Sequence, residues 1–341
     1  MPSGSLAFGS LTVNRAYRWG LGGLGFVKPL LESAVVSSVD DEPLVSFTGA
    51  RRPDRHRSVD AWGVQLAVVE WGDADAPPVL FAHGGFDFAG TFDRFAPLIA
   101  ASGHRVVAWD QRGHGDSDHT DLYSWEADVR DAVAVLDSIG AEPIPVLGHS
   151  KGGSLMLQLA ESCPHRVSHV INLDGLPSAR SWPDVAEHNR TTLLATELTG
   201  WLDHRRRAVA AQRRPGTMDE LAARRHRMNP RLSLEWLRYL VSVGARHDED
   251  GWRWKIDPSM RMGGFGPWRP EWSMWRLPSL AMPVLAVLGL EIELMGWGTR
   301  PEDVHPYLPA EGRFVPLEGT GHFVHIEEPE RVADLVLEFI G

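Results

Sequence analysis

The sequence predicts an α/β domain built on a mostly parallel sheet, interrupted once by a long helical insertion. Three observations carry that expectation. Short apolar runs alternate with segments of helical periodicity from about residue 58 to residue 175. The alternation stops at Leu176 and resumes at Met282. Before that break, the apolar run that starts at Ile144 ends in Gly148-His149-Ser150-Lys151-Gly152 and passes at once into a helical segment, Ser154 to Glu161. Strands that alternate with helices require right-handed crossovers, and so a sheet covered on both faces.

The elements follow in order. Val64 to Trp71 reads as a strand between turns at Trp62-Gly63 and Gly72-Asp73. Pro78 to Ala82 is a buried strand that runs into His83-Gly84-Gly85-Phe86. A helical segment, Phe92 to Ala101, precedes the strand Arg105 to Trp109, which ends in the glycine-punctuated turn Asp110 to Ser117. Tyr123 to Ile139 carries Trp125, Val129, Ala132, Val133 and Leu136 at helical spacing. After the serine turn come the strand His169 to Leu173 and then Asp174-Gly175. Past the insertion, Val284 to Leu288 and Gly312 to Pro316 are strands. Pro301 to Leu308 and Pro329 to Phe339 are helical, and Gly319-Thr320-Gly321-His322-Phe323 is a turn. The domain organisation expected is therefore an extension and linker over 1–57, a core over 58–175 and 282–341, and a mainly helical cap over 176–281.

Bulk properties narrow the function. A net charge of −11 argues against nucleic acid or an anionic membrane as the main partner, which leaves a small-molecule substrate. The single cysteine, Cys163, excludes an internal disulfide framework and fits a reducing, cytoplasmic setting. The histidines show no metal-ligand spacing, so no metal is expected. The apolar run Leu6 to Val36 is broken by Asn14, Arg15, Arg18 and Lys28, so no integral membrane span is expected. It also lacks the basic start and small-residue cleavage site of a secretory signal. A homo-oligomer is compatible with all of this. The insertion holds nine arginines between Arg205 and Arg231 and a series of tryptophans from Trp236 to Trp275. Placed where it is, it would lie over the carboxyl ends of the strands, where open α/β sheets bind ligands.

A serine in a sharp strand-to-helix turn needs a base, and the base needs an orienting acid. His322, in a glycine-flanked turn just past the last strand, stands where a base is required; His325 is the weaker candidate. With these pieces in order, residues from about Val59 to Phe339 resemble the α/β-hydrolase superfamily. The matching motifs are His83-Gly84-Gly85, Asp110 to Ser117, Gly148 to Gly153, and Gly319 to Phe323 with Pro329-Glu330-Arg331-Val332.

The resemblance implies an α/β-hydrolase fold: an eight-stranded, mostly parallel sheet with helices on both faces and a helical cap. It also implies hydrolysis without a cofactor. Ser150 would be the nucleophile of the elbow, whereas haloalkane dehalogenases and epoxide hydrolases of this superfamily use aspartate there. Backbone N–H groups of Gly85 and Lys151 would form the oxyanion hole.

The acid departs from the family pattern, which places Asp three or four residues beyond a glycine closing the seventh strand. Gly289 is followed instead by Leu290-Glu291-Ile292-Glu293. Glu293 is the first choice, with Glu291 and Asp174 as alternatives. The Lys151 side chain would point toward the cap and pair with a carboxylate, or else attract an anionic acyl group.

The expected activity is a carboxylesterase-like serine hydrolase cleaving an ester, thioester or lactone of a small to medium apolar acyl group through an acyl-enzyme. Alternatives on the same triad are a carbon–carbon bond hydrolase or a cofactor-free haloperoxidase. A non-catalytic ligand-binding relative would keep the fold alone.

Overall fold

The computed structural model describes residues 45–177, 190–208, 211–260 and 272–341. The segments without a polar face form the middle of a sheet. In chain order its strands are β1 (Arg55–Asp60), β2 (Gln65–Trp71), β3 (Pro78–Ala82), β4 (Arg105–Trp109), β5 (Ile144–His149) and β6 (Val167–Leu173). After the cap hairpin β7 (Ala245–Asp248) and β8 (Gly251–Trp254), the sheet continues with β9 (Val284–Gly289) and β10 (Gly312–Leu317). The eight strands of the main sheet lie in the order β1-β2-β4-β3-β5-β6-β9-β10, with β2 antiparallel to both its neighbours and every other pair parallel.

Alternate side chains supply two cores, one on each face. Leu80, Ala82, Val107 and Val146 pack under α2 (Trp125–Ile139) and α3 (Lys151–Ser162), against Leu136, Leu155 and Leu159. Val79, Phe81, Leu147 and Ile171 meet α1 (Ala96–Ala101) and the C-terminal helix (Pro329–Ile340) through Ile99, Val332 and Val336. A parallel sheet buried on both faces needs this double covering. Ser124 caps α2 by accepting from the Ala127 N–H at 3.2 Å.

Two segments differ from the sequence expectation. The stretch Arg51 to Arg57, expected as linker, contains the start of β1. Its charged residues hide an edge strand in which Arg55 and Arg57 both donate to the buried Glu70, at 3.2 and 2.8 Å. Charge on an edge strand discourages pairing with another chain. The cap, expected as mainly helical, contains α4 (Arg190–Ala208), α5 (Met218–Met228), α6 (Leu234–Gly244) and α7 (Trp272–Arg276), but also the β7–β8 hairpin. Strands of four residues are too short to register as a period, and the turn depends on Gly251 at φ 120°. Among the described residues no helix is long and apolar enough to cross a membrane.

Cap and core share a third apolar cluster, in which Trp236, Leu237 and Leu240 of α6 join Phe88, Phe323 and Ile326. Beside it the Tyr239 hydroxyl donates to Asp93 at 2.5 Å, and Arg52 approaches the same carboxylate at 3.5 Å. Burial pushes the Asp93 carboxyl up to about 7 against both partners. A carboxyl whose pKa is raised on folding holds its proton more tightly in the folded chain. Its stabilising effect is therefore complete below about 4 and lost as pH rises toward 7. The unfolding free energy of the wild type relative to Asp93→Asn should accordingly fall between pH 4 and 7, by on the order of a few kcal/mol. Denaturant titrations of both proteins across that range check this; a pH-independent difference contradicts it.

Candidate active site

Every sequence-selected motif lies at the carboxyl ends of the parallel strands. Between β5 and α3 the backbone turns so sharply that Ser150 takes φ 53° and ψ −121°. A side chain at Gly148 would strike the Gly152 carbonyl, and one at Gly152 the Ala82 carbonyl, so only glycine fits at both. Four non-glycine residues among those described have positive φ, and Phe86, Ser150 and Asp174 are three of them. Such backbone costs of order 1–3 kcal/mol per residue and persists only where the surroundings enforce it.

His322 stands in the loop after β10, and its Nδ1 hydrogen-bonds to Asp174 at the end of β6. Both side chains are buried. Burial raises the Asp174 carboxyl, while the His322 ring and the Gly289 N–H, at 3.3 Å, act against it. His149, beside the nucleophile, donates from Nε2 to the His322 carbonyl at 2.9 Å, and the two rings lie 4.8 Å apart. Burial keeps His149 neutral by pulling its pKa well below the usual value. It is a brace between the serine turn and the base loop that no motif in the sequence announces.

The carboxylate on the His322 ring is thus Asp174, not Glu293, the first choice from sequence. Glu293 Oε2 accepts instead from the His322 backbone N–H at 2.6 Å. The reason is reach. Strand β9 separates β6 from β10, and it closes at Gly289, where the Thr320–Gly321 backbone packs so closely that a side chain would collide. The base loop crosses that gap directly to Asp174. Glutamate's longer stem, coming from the loop after β9, arrives at the backbone of the same loop. Glu291 is exposed, and its backbone N–H donates to the Thr320 carbonyl at 3.0 Å. His325 is fully buried among Phe92, Phe95 and His149, and burial pushes its pKa down to about 3.

The opposite wall begins at His83, whose Nδ1–H donates to the Gly84 carbonyl at 2.7 Å while Nε2 accepts from the Gln111 N–H at 2.9 Å. These bonds fix the loop carrying Gly85, whose N–H has no acceptor among the described residues. The Lys151 N–H is the first of α3 and is orphaned by helix geometry. The Lys151 side chain does not turn toward the cap. Its ammonium lies 2.7 Å from Asp128 of α2 and donates to Gln111 Oε1 at 2.6 Å, 5.6 Å from the Trp125 ring. Its charge is already spent, so it is not available to attract an acyl anion. Neither Asp128 nor Gln111 lies near Lys151 along the chain, so chain order does not announce them as its partners.

The chain matches the Alpha/beta hydrolase family over residues 79–335. It belongs to the α/β-hydrolase family. Among similar relatives, the mouse sn-1-specific diacylglycerol lipase ABHD11 is 26% identical over 275 residues, 79% of this chain and 83% of the relative. Epoxide hydrolase A of Mycobacterium tuberculosis is 26% identical over 311 residues, 83% of this chain and 96% of the relative. Among solved structures, the thioesterase domain from the curacin biosynthetic pathway superposes with a TM-score of 0.68 at 25% identity, covering 83% of this chain and 99% of that domain. The named chemistries differ but all are hydrolytic, and this α/β-hydrolase is a hydrolase of that broad kind.

A cavity of about 380 Å³ opens beside the site, lined by Gly85 and Phe86 on the core side and by Trp254 and Ile256 of the cap. Among the described residues no group of three His, Cys, Asp or Glu side chains converges to hold a metal ion.

Amide replacement separates the two carboxylates near His322. Asp174→Asn should lower hydrolytic turnover by on the order of 10³- to 10⁴-fold, because the ring loses its correct tautomer and the stabilisation of its imidazolium. Glu293→Gln keeps an acceptor oxygen for the His322 N–H and should stay within about tenfold of wild type. Steady-state kinetics on a p-nitrophenyl ester check both; the reverse ranking would return the acid to Glu293.

Proposed function

We propose that the chain is a serine hydrolase that cleaves an ester, thioester or lactone of a small to medium, largely apolar acyl group, with Ser150, His322 and Asp174 as its triad. The observation that carries this is the hydrogen bond from a buried His322 ring to a buried Asp174 beside a serine in a strained strand-to-helix turn. A carboxylate on Nδ1 leaves Nε2 as the basic nitrogen.

In the reaction, His322 Nε2 takes the Ser150 proton as Oγ attacks the carbonyl carbon, and Asp174 stabilises the imidazolium. The tetrahedral oxyanion is met by the N–H groups of Gly85 and Lys151, held in place before the substrate arrives. The imidazolium then protonates the leaving group, which departs and leaves an acyl ester on Ser150. Water attacks that ester with His322 again as base, and collapse of the second intermediate returns the serine proton and releases the acid. The oxyanion loop is fixed through Gln111, and Gln111 through Lys151, so both donors belong to one buried framework. The apolar cavity wall supports an acyl group of modest size.

A fluorophosphonate probe should label wild-type protein, and Ser150→Ala should be unlabelled and inactive on short p-nitrophenyl esters. Mass spectrometry of the labelled peptide checks the position. Labelling that persists in Ser150→Ala would sink the assignment, and a folded wild type that never labels would favour a ligand-binding role.

A further inference from the structure

An apolar acyl group does not account for the cap side of the cavity, where arginines stand beside the aromatic residues. Arg213 donates from Nε to the Ile256 carbonyl at 3.2 Å and from Nη2 to the Asp257 carbonyl at 3.0 Å. Those bonds orient the guanidinium over the Phe86 ring, 5.9 Å away, without neutralising it. The nearby Asp257 carboxylate is already engaged by the Tyr123 hydroxyl at 2.5 Å and the Ser259 N–H at 2.7 Å. Arg225 gives one nitrogen to Asp87 at 2.6 Å, while its buried Nε finds no acceptor among the described residues. Asn229 on the same wall is 3% exposed, and its Nδ2 is likewise buried without an acceptor among the described residues.

Charge points the same way. Four guanidiniums line the cavity, Arg213, Arg214, Arg224 and Arg225, of which Arg214 is exposed; beside the other three, among the described residues, stand Asp257, Glu220 and Asp87. Glu220 is mostly exposed and 3.8 Å from Arg224, so water screens it. Partly desolvated cations with unspent N–H groups are costly unless an anion meets them, and guanidinium geometry matches a carboxylate or phosphate.

We propose that Arg213 and Asn229, with Arg225 beside them, form a subsite for an oxyanion group, a carboxylate or phosphate, carried by the substrate away from its scissile carbonyl. The preferred substrate is then an apolar chain ending in an anion, with the chain against Phe86 and Trp254 and the charge on the cap. This rests on Ser150 as the nucleophile for the orientation of the substrate, but not for the binding of the anion.

The test compares esters of equal length with and without the charge. One arm sets the p-nitrophenyl hemiester of adipic acid against p-nitrophenyl hexanoate. The other places the carboxylate on the leaving group, as 4-carboxyphenyl hexanoate against phenyl hexanoate. In at least one arm the anionic ester should have the higher kcat/KM, by about tenfold or more, and added salt should reduce that preference. The ratio of anionic to neutral kcat/KM should fall by about tenfold in Arg213→Gln and in Asn229→Leu. Calorimetric titration of the wild type with adipate and with butyl phosphate separates carboxylate from phosphate and needs no turnover.

Neutral and anionic esters cleaved equally in both arms, with neither anion binding, would overturn the subsite while leaving the serine reading intact. A preference that survives in both variants would overturn it as well. Anion binding lost in Arg213→Gln, in a protein that cleaves no ester and takes no fluorophosphonate, would keep the subsite and overturn the hydrolytic reading.

Discussion

The Ser150 N–H donates to the Leu173 carbonyl at 3.0 Å, and the geometry of the site depends on that bond. It continues the β5–β6 ladder, whose last pair is His149 with Leu173, one residue beyond the strands. The next residue on β5's side is the serine and the next on β6's side is the aspartate. Both have left-handed backbone, at φ 53° and 49°. The turn is fixed further by Gly175, which lies too close to the Ser150 carbonyl for any side chain, and whose own carbonyl accepts from Ser154 Oγ at 2.8 Å. Strain at Ser150 is therefore enforced from two strands at once.

A second constraint is electrostatic. Lys151 and Asp128 are both buried, and a buried pair that loses one partner costs on the order of 3–5 kcal/mol. Gln111 extends the pair to His83 by donating to its carbonyl at 2.6 Å. The nucleophile turn, the helix α2 and the loop opposite are in this way linked by satisfied polar groups rather than by apolar packing. A fully connected buried network specifies one arrangement because every alternative strands a charge. The cap is tied in differently, through apolar contact of α6 with Phe323 and Ile326, next to the base.

Much of this was legible in the sequence. The strands β2 to β6, β9 and β10 announce themselves as apolar runs, and the order of strand, glycine-flanked serine and helix has few other uses. His322 was findable as the candidate base because a glycine-flanked histidine just after the last strand has a fixed place at the sheet's end. The acid was not, since the choice between Glu293 and Asp174 turns on a distance across β9 that chain order does not encode. Glu293 has a part after all, but on the backbone of the base loop. The edge strand β1 was hidden by its arginines, and the β7–β8 hairpin by its brevity. Lys151 does pair with a carboxylate, as expected, but away from the cap, because its partners, 23 and 40 residues back along the chain, come together only in the fold.

The placement of Asp174 at the end of β6 also bears on how the proposed triad would come apart on heating. Ser150 and Asp174 each follow the last rung of two directly paired central strands, so they separate only when the middle of the sheet does. His322 hangs from the loop after β10, the strand at the sheet's edge. It is held there by His149, by Glu293 and by Arg231, which donates from Nε to Glu327 at 2.6 Å. Edge elements open at lower free energy than the centre. On the proposed triad, the first loss on mild heating would then be the His322 loop alone, swung away from a serine and an aspartate still in register.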